Sequence, residues 1–360
     1  MSAKKTPSVK LPAAPPATEY TGARTRRLKR IWLSEYDPGT RTNLFVKISE
    51  AATGQPMLLP VIVARGAADG PVVGIMAAVH GNELNGIRII HSLLETVNLK
   101  QMSGSLLCAP ILNLPGFNLR QREFSDGRDL NHYFPGREKG VPAEQYARAI
   151  TRMLLPPCDY LIDIHTASVG RINTMYLRAD LHNPTVRRLS LAMNPQIILH
   201  VRGGDGTLRH AARQRGIHGI TLEAGNPDTF QGRMVFSGEE GLTNILVELG
   251  MCEGTIHIDR EAVICHRSSW LRTTSGGLLK THFDLGDRIK KRQLMAQTLD
   301  PFGTVLKEYH APRSGIVIGM AVNPLAVPGT RYCHLGEIGE PEPPKPQELE
   351  DRHEDPPPDP

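Results

Sequence analysis

The stretch "PVVGIMAAVHGNELNG", residues 71–86, decides how the chain is read. Residues 71–79 are one continuous apolar run, the pattern of a strand buried on both faces. The run ends in His80, Asn82, Glu83 and Asn85, and "ELNGIRIIHSLLETV" then places apolar residues at helical spacing. A buried strand that ends in a histidine, a glycine and a nearby glutamate either exits to solvent or delivers ligands to a site.

The same alternation extends in both directions. Upstream, "RIWLSEY" (30–36), "TNLFVKISEA" (42–51) and "MLLPVIVARG" (57–66) read as strands. Downstream, "GSLLCAPILN" (104–113), "CDYLIDIHT" (158–166), "PQIILHV" (195–201) and "HGITLEAG" (218–225) read as strands. Between and after them, "PAEQYARAITRMLL", "NPTVRRLSLAM", "DGTLRHAARQRG" and "SGEEGLTNILVELGM" read as helices. This pattern predicts an α/β domain over residues 23–255, with a mostly parallel mixed sheet and helices on both faces. Ligands in such sheets collect at the carboxyl ends of the strands. Residues 256–338 contain short strands broken by Gly, Asp and Pro, the pattern of a small β-domain. Residues 1–22 and the acidic, Pro-rich 339–360 carry too few apolar residues to fold and are expected to be disordered.

Composition narrows the function classes. With 40% hydrophobic and 22% charged residues among 360, the chain is an ordinary globular protein. No apolar run approaches the roughly 18 residues of a membrane span, and no signal-peptide pattern opens the sequence. Five scattered cysteines without a C-x-x-C pair argue against a disulfide framework and fit a reducing cytoplasm. The net charge is +5, with a basic run "RTRRLKR" at 24–30. That run lacks interleaved aromatics and any nucleic-acid fold signature, so it reads as a solvated edge; neither nucleic acid nor a membrane is an expected partner.

Four polar clusters fall at expected strand ends: His80/Glu83, Asp163/His165, Thr221/Glu223, and the loop "RQREFSDGRDLNHYFPG". Two imidazoles and a carboxylate, with a fourth position left for water, make a catalytic zinc set. His80 and Glu83 can point to one spot across a strand-to-helix turn, and His165 fits as a third ligand from another strand. The spacing is H-x-x-E, neither the helical H-E-x-x-H nor, because of Leu84, H-x-x-E-H. Taken alone, His80 reads equally well as a capping or hydrogen-bonded histidine, and His165 reads rather better as one. Glu223 is placed to act as a base, and Asp163 to orient a ligand histidine. Arg120, Arg122 and Arg128 are candidates to stabilise a developing oxyanion, with Asn131 as a substrate anchor.

In that order, "HGNELNG", "DGRDLNHYFPG", "LIDIHT" and "ITLEAG" resemble the succinylglutamate desuccinylase/aspartoacylase family of the zinc carboxypeptidase-like superfamily. The resemblance spans roughly residues 25–338. It implies a zinc-dependent hydrolase, with one Zn2+ per chain, that removes an acyl group from a small-molecule N-acyl amino acid or related amine. It implies His80, Glu83 and His165 as metal ligands and Glu223 as general base. It also implies Arg122 as the group polarising the scissile carbonyl, and Asn131 as part of an Asn-Arg pair that binds the substrate carboxylate. The chain departs from the family at this pair, having Asn131-His132. An imidazole offers at most one donor where arginine offers a permanently charged fork. Arg178 is a candidate replacement anchor. The alternatives are a carboxypeptidase-type peptide hydrolase and a metal-binding relative without activity. Residues 256–338 resemble a biotinyl/lipoyl-type hammerhead, but its matching turn, "DPFG", has no lysine, so no lipoyl or biotin arm is expected. This domain is expected to pack over the cleft or to build a homo-oligomer.

Overall fold

The computed structural model describes residues 24–26, 30–204 and 206–343. The arm at 1–22 and the tail beyond 343, both expected to be disordered, lie outside the described residues. The chain runs through β1 (Arg24–Arg26), β2 (Thr40–Glu50), β3 (Pro56–Arg65), β4 (Ala68–Ala77), α1 (Asn85–Thr96), β5 (Ser103–Ala109), α2 (Leu114–Leu119) and α3 (Pro142–Leu154). It continues with β6 (Tyr160–His165), β7 (Arg171–Asn173), β8 (Tyr176–Ala179), α4 (Pro184–Ala192), β9 (Ile197–His200), α5 (Leu208–Arg213), β10 (His218–Glu223) and α6 (Gly232–Glu248).

These strands form one twisted sheet in the order β1-β2-β3-β5-β4-β6-β10-β8-β9. The centre is parallel: β4 pairs with β5 and β6, and β6 with β10. Antiparallel pairing enters at β3 with β2 and β5, and at β8 with β10, so the sheet is mixed. One expectation is corrected. Residues 30–36 are not a strand but contain a 3-10 turn at Leu33–Glu35. Helix starts follow local chemistry. The Asn183 side chain accepts from the amides of Thr185 and Val186, with Pro184 in the first turn. Thr207 caps α5 by accepting from His210 N–H.

The sheet separates two apolar cores. Ile162, Ile164, Ile220 and Leu222 pack with α1, α4 and α6 on one face. Leu161 and Met76 pack with α3 and α5 on the other. Successive side chains of a strand point to opposite faces. Asp163, His165, Thr221 and Glu223 therefore share the α3/α5 face. The parallel register places Thr221 beside Asp163 and Glu223 beside His165.

The C-terminal segment supplies β11 (Val263–Arg272), β12 (Gly277–Thr281), β13 (Arg288–Ile289), β14 (Leu294–Leu299), β15 (Val305–His310), β16 (Gly315–Ala321), β17 (Leu325–Ala326) and β18 (Arg331–Ile338). Four of these, in the order β15-β14-β12-β17, form a small antiparallel sheet. The rest extend the main sheet, which continues from β9 through β11, β18 and β16 to β13, while β7 pairs with β16. The small β-domain expected from the sequence thus shares a sheet with the α/β part. Among the described residues, no helix is long and apolar enough to cross a membrane.

His334 on β18 is buried and stacks on Trp270 at 4.8 Å with an interplanar angle of 11°. Burial, with Arg178, Arg171 and Arg331 nearby, pulls its pKa down to about 3. The unfolded chain, with an ordinary value near 6.5, binds a proton that the folded chain refuses. This term of stability is complete above about pH 6.5 and falls by about 1.4 kcal/mol per unit as pH drops below it. His334→Gln is therefore expected to shrink the loss of melting temperature between about pH 7 and pH 5. An undiminished loss in the variant would refute the assignment.

Candidate active site

The site lies at the carboxyl ends of β4, β6 and β10. After Ala77 the backbone turns through Ala78, at φ +51°, to present His80. Gly81 follows because no side chain fits: a Cβ there would lie 2.0 Å from the backbone carbon of Gly116 in α2. Gly86 opens α1 for the same reason, since its Cβ would meet Ala77 and Ile164 at 2.8 and 2.9 Å. The glycines of "HGNELNG" thus let two helices press against the strand end that carries His80 and Glu83.

His80 Nδ1 lies 2.8 Å from Glu83 Oε1, and His165 Nδ1 lies 3.1 Å from His80 Nδ1 and 3.0 Å from Glu83 Oε2. All three residues are buried. The far nitrogen of each ring is held by a carboxylate: His80 Nε2 by Asp129 Oδ1 at 3.0 Å, and His165 Nε2 by Asp163 Oδ2 at 2.9 Å. These bonds put the ring proton on Nε2 and leave both Nδ1 lone pairs converging beside Glu83. Carboxylates behind ligand histidines fix tautomer and orientation in this way at metal centres. The donor set therefore suits a divalent cation, and its two imidazoles and carboxylate suit zinc in particular.

The surrounding carboxylates favour positive charge at this spot, carried by a cation or by protons on the rings. Burial alone would lower the pKa of His165, but Asp163 and Glu83 raise it well above the ordinary value. Burial likewise opposes the charged form of His80, and Glu83 and Asp129 reverse that effect. Burial pushes the Glu83 carboxyl up, and His80 and His165 more than offset this, holding it far below its usual range. Removing the second carboxylate should loosen the centre: Asp163→Ala is expected to weaken metal affinity by about 10- to 100-fold. Competition against a chromogenic chelator measures this, and wild-type affinity in the variant would show that Asp163 plays no such part.

Around the centre lies a cavity of about 290 Å³. His80, Glu83, His165, Glu223, Arg122, Asn131, His132 and Arg178, all singled out from the sequence, line it. Arg128 is not among its lining residues; it pairs with Asp126 at 3.2 Å and its side chain is 41% exposed. Glu223 Oε1 accepts from Arg178 Nε at 3.0 Å. Arg122 Nη1 donates to Glu83 Oε1, and its Nε and Nη2 both donate to Asp129 Oδ2. Asn131 does not simply face the cavity: its Oδ1 accepts from Leu208 N–H at 2.9 Å and so ties the loop to α5.

Sequence reasoning missed several participants. Asp129 sits inside the quoted "DGRDLN", so the signal was present but unread. Arg209 reads as a surface position of an amphipathic helix, yet it is buried and lines the cavity. Arg171, Trp270 and Arg331 also line it, both guanidinium groups lying over the Trp270 ring at 5.3 and 5.9 Å. Trp270 and Arg331 come from β11 and β18, which only the continuous sheet brings to the site. A second cluster, Asp180, His182 and His200, could also gather a metal by distance alone. There, however, His200 Nδ1 accepts from Leu181 N–H, which puts the ring proton on Nε2 and opposes coordination.

Solved structures share this fold. The product-bound ectoine utilization protein EutE (DoeB) from Ruegeria pomeroyi superposes with a TM-score of 0.74 at 23% identity, covering 83% of this chain and 95% of its own. A succinylglutamatedesuccinylase/aspartoacylase from Rhodobacter sphaeroides gives 0.75 at 21% identity, covering 85% and 98%. The class is thus an α/β fold with a candidate metal centre at the carboxyl ends of its central strands. The succinylglutamate desuccinylase/aspartoacylase catalytic-domain model matches residues 69–249, and the chain belongs to that family. A curated relative, the N-alpha-acetyl-L-2,4-diaminobutyric acid deacetylase of Halomonas elongata, is 26% identical over 284 residues, 74% of this chain and 82% of the relative.

Proposed function

We propose that the protein is a zinc-dependent hydrolase that cleaves the amide bond of an N-acylated amino acid or a related amine. The observation that carries this reading is the convergence of His80 Nδ1, His165 Nδ1 and the Glu83 carboxylate beside Glu223. The family supports it, as does the deacetylase named among the relatives. A zinc ion held by His80, Glu83 and His165 would supply a Lewis acid and make water a stronger acid.

The chain's own residues supply the remaining steps. Glu223, oriented by Arg178, takes a proton from water as the oxygen attacks the amide carbon. Arg122, fixed by Asp129, directs guanidinium N–H groups at the oxyanion that develops. Glu223 then returns the proton to the departing nitrogen, so the carbon–nitrogen bond breaks with a neutral amine leaving. In this reading residues 23–255 carry the chemistry. Residues 256–338 shape the cleft, supported by the entry of Trp270 and Arg331 into the cavity lining. The four antiparallel strands of the small sheet support its likeness to a hammerhead.

The test is metal analysis of purified protein together with turnover of a panel of N-acetyl- and N-succinyl-amino acids and N-acetyl diamines. Release of acetate or succinate with stoichiometric zinc is expected. Release of C-terminal residues from peptides, with no deacylation, would overturn the reading.

A further inference from the structure

Glu223 hangs on a long side chain. Arg178 Nε donates to Glu223 Oε1 at 3.0 Å. An arginine has many rotamers to give up, so by itself it is a loose anchor. Arg178 is tied down in turn. Its Nε and Nη2 also donate to the hydroxyl of Tyr176, at 3.1 and 2.8 Å. The Tyr176 oxygen thus accepts twice from a cation, and its own proton needs an acceptor elsewhere. Burial raises the pKa of this phenol, so the proton is retained. Tyr176 stands opposite Glu223 in the antiparallel pairing of β8 with β10, and the Glu223 carboxylate is the acceptor beside it. Carboxylate, guanidinium and phenol close on one another at the edge of the cavity, which Tyr176 also lines.

Tyr176 is fixed from two directions. β8 lies between β10 and β9, and the residue is buried. Its ring meets His334 of β18 edge-on, with centroids 6.1 Å apart and an interplanar angle of 72°. The His334 Nε2 is hydrogen-bonded to Ser268 Oγ at 2.7 Å, and its ring lies flat on Trp270. Ser268 and Trp270 both belong to β11. The strands appended after α6 therefore brace the tyrosine that holds the partner of the base. Because burial and the nearby arginines keep the imidazole uncharged, it does so without repelling Arg178.

We infer that Tyr176, acting with Arg178, is a positioning residue for Glu223, and that His334 positions Tyr176, so that the C-terminal strands help to aim the base. The inference rests on the deacylase reading and adds to it that the geometry of the base is set partly from β18.

The experiment measures kcat, KM, bound metal and melting temperature, with the best substrate of the N-acyl panel. The proteins are wild type, Tyr176→Phe, His334→Ala, His334→Phe and the double variant Tyr176→Phe/His334→Ala. Crystal structures of wild type and Tyr176→Phe accompany them. Tyr176→Phe keeps the ring and its packing and removes only the hydroxyl. Its kcat is expected to fall about 10- to 100-fold, as for the loss of a hydrogen bond to a charged group, with KM and bound metal near wild type. A hydroxyl that bound substrate instead would show in KM. His334→Ala should lose about 10-fold in kcat through misplacement of the base, and His334→Phe, which restores a ring, should recover most of that loss. In the double variant His334→Ala should add less than about 2-fold, because its effect passes through the hydroxyl. Two unrelated structural defects would multiply. Multiplied losses, losses confined to KM, or a wild-type kcat in Tyr176→Phe would overturn the inference. Should His334→Ala fail to fold, Tyr176→Phe and His334→Phe carry the test. If wild type turned over nothing, the deacylase reading would fall, and the crystal structures would still decide the positioning role. A Glu223 carboxylate displaced from Arg178 in Tyr176→Phe supports it, and one that keeps its wild-type conformation overturns it.

Discussion

Glu223→Gln is expected to lower kcat by about 10²- to 10⁴-fold, the usual share of a positioned acid–base group. Glutamine keeps an oxygen for Arg178 Nε, which now donates to Glu223 Oε1, so the strand end should hold its shape. It cannot accept a proton from water or return one to the leaving nitrogen. Metal content, KM and melting temperature should therefore stay near wild type while turnover falls. A large loss of bound metal in the variant would mean that Glu223 supports the centre rather than the proton transfer. Equal turnover in the two proteins would remove the proposed mechanism outright.

Removing the metal should have the larger effect. Chelation, or His165→Ala, is expected to abolish turnover and to make melting depend on added zinc. At free metal about 1,000-fold above its dissociation constant, binding stabilises a fold by roughly 4 kcal/mol. The metal-free protein should also respond to pH in a particular direction. His80 and His165 have folded-state values raised above the ordinary one by Glu83, Asp129 and Asp163, against the pull of burial. A raised value means that the folded chain holds protons the unfolded chain has released. That stability is complete below the unfolded value near 6.5 and is lost as pH rises through the folded value. Added zinc replaces those protons and should remove the alkaline loss. Melting curves across the neutral-to-alkaline range, with and without zinc, test this. A metal-free protein whose stability does not fall with rising pH would contradict the charge arrangement described for the centre.

The central strands were legible because burial on both faces leaves a direct mark. The apolar runs that became β4, β6 and β10 fit strands of a covered sheet, and the polar residues that close them stand out. That was enough to pick out His80, Glu83, His165 and Glu223. The short strands were not legible. β7 and β8 have three and four residues, too few for a period to show, and β8 enters between β10 and β9, antiparallel to the first and parallel to the second. The segment at 30–36 alternates like a strand, yet it turns at Leu33–Glu35 beside the buried Ile31 and Tyr36. Arg209 could not have been found by pattern, because an arginine in a short amphipathic helix is normally on its solvated face. Only the packing of α5 against β10 shows that it is buried. The same holds for Trp270 and Arg331, whose place at the cavity depends on pairing between β9 and β11 and between β11 and β18. Non-local pairings of this kind leave no local trace.

The main sheet runs without interruption from β4 to β18. The candidate catalytic residues sit on or just after its middle strands, while part of the cavity wall sits on β11 and β18, which follow β10 in the chain. Inheritance can therefore act on the two separately. In the proposed reading, substitutions at Trp270 or Arg331 would retune which molecules are admitted without moving a residue of the candidate metal centre. Loss of the C-terminal strands would open the cavity on the side that Trp270 and Arg331 line, while the rest of its wall, drawn from the α/β part, remained.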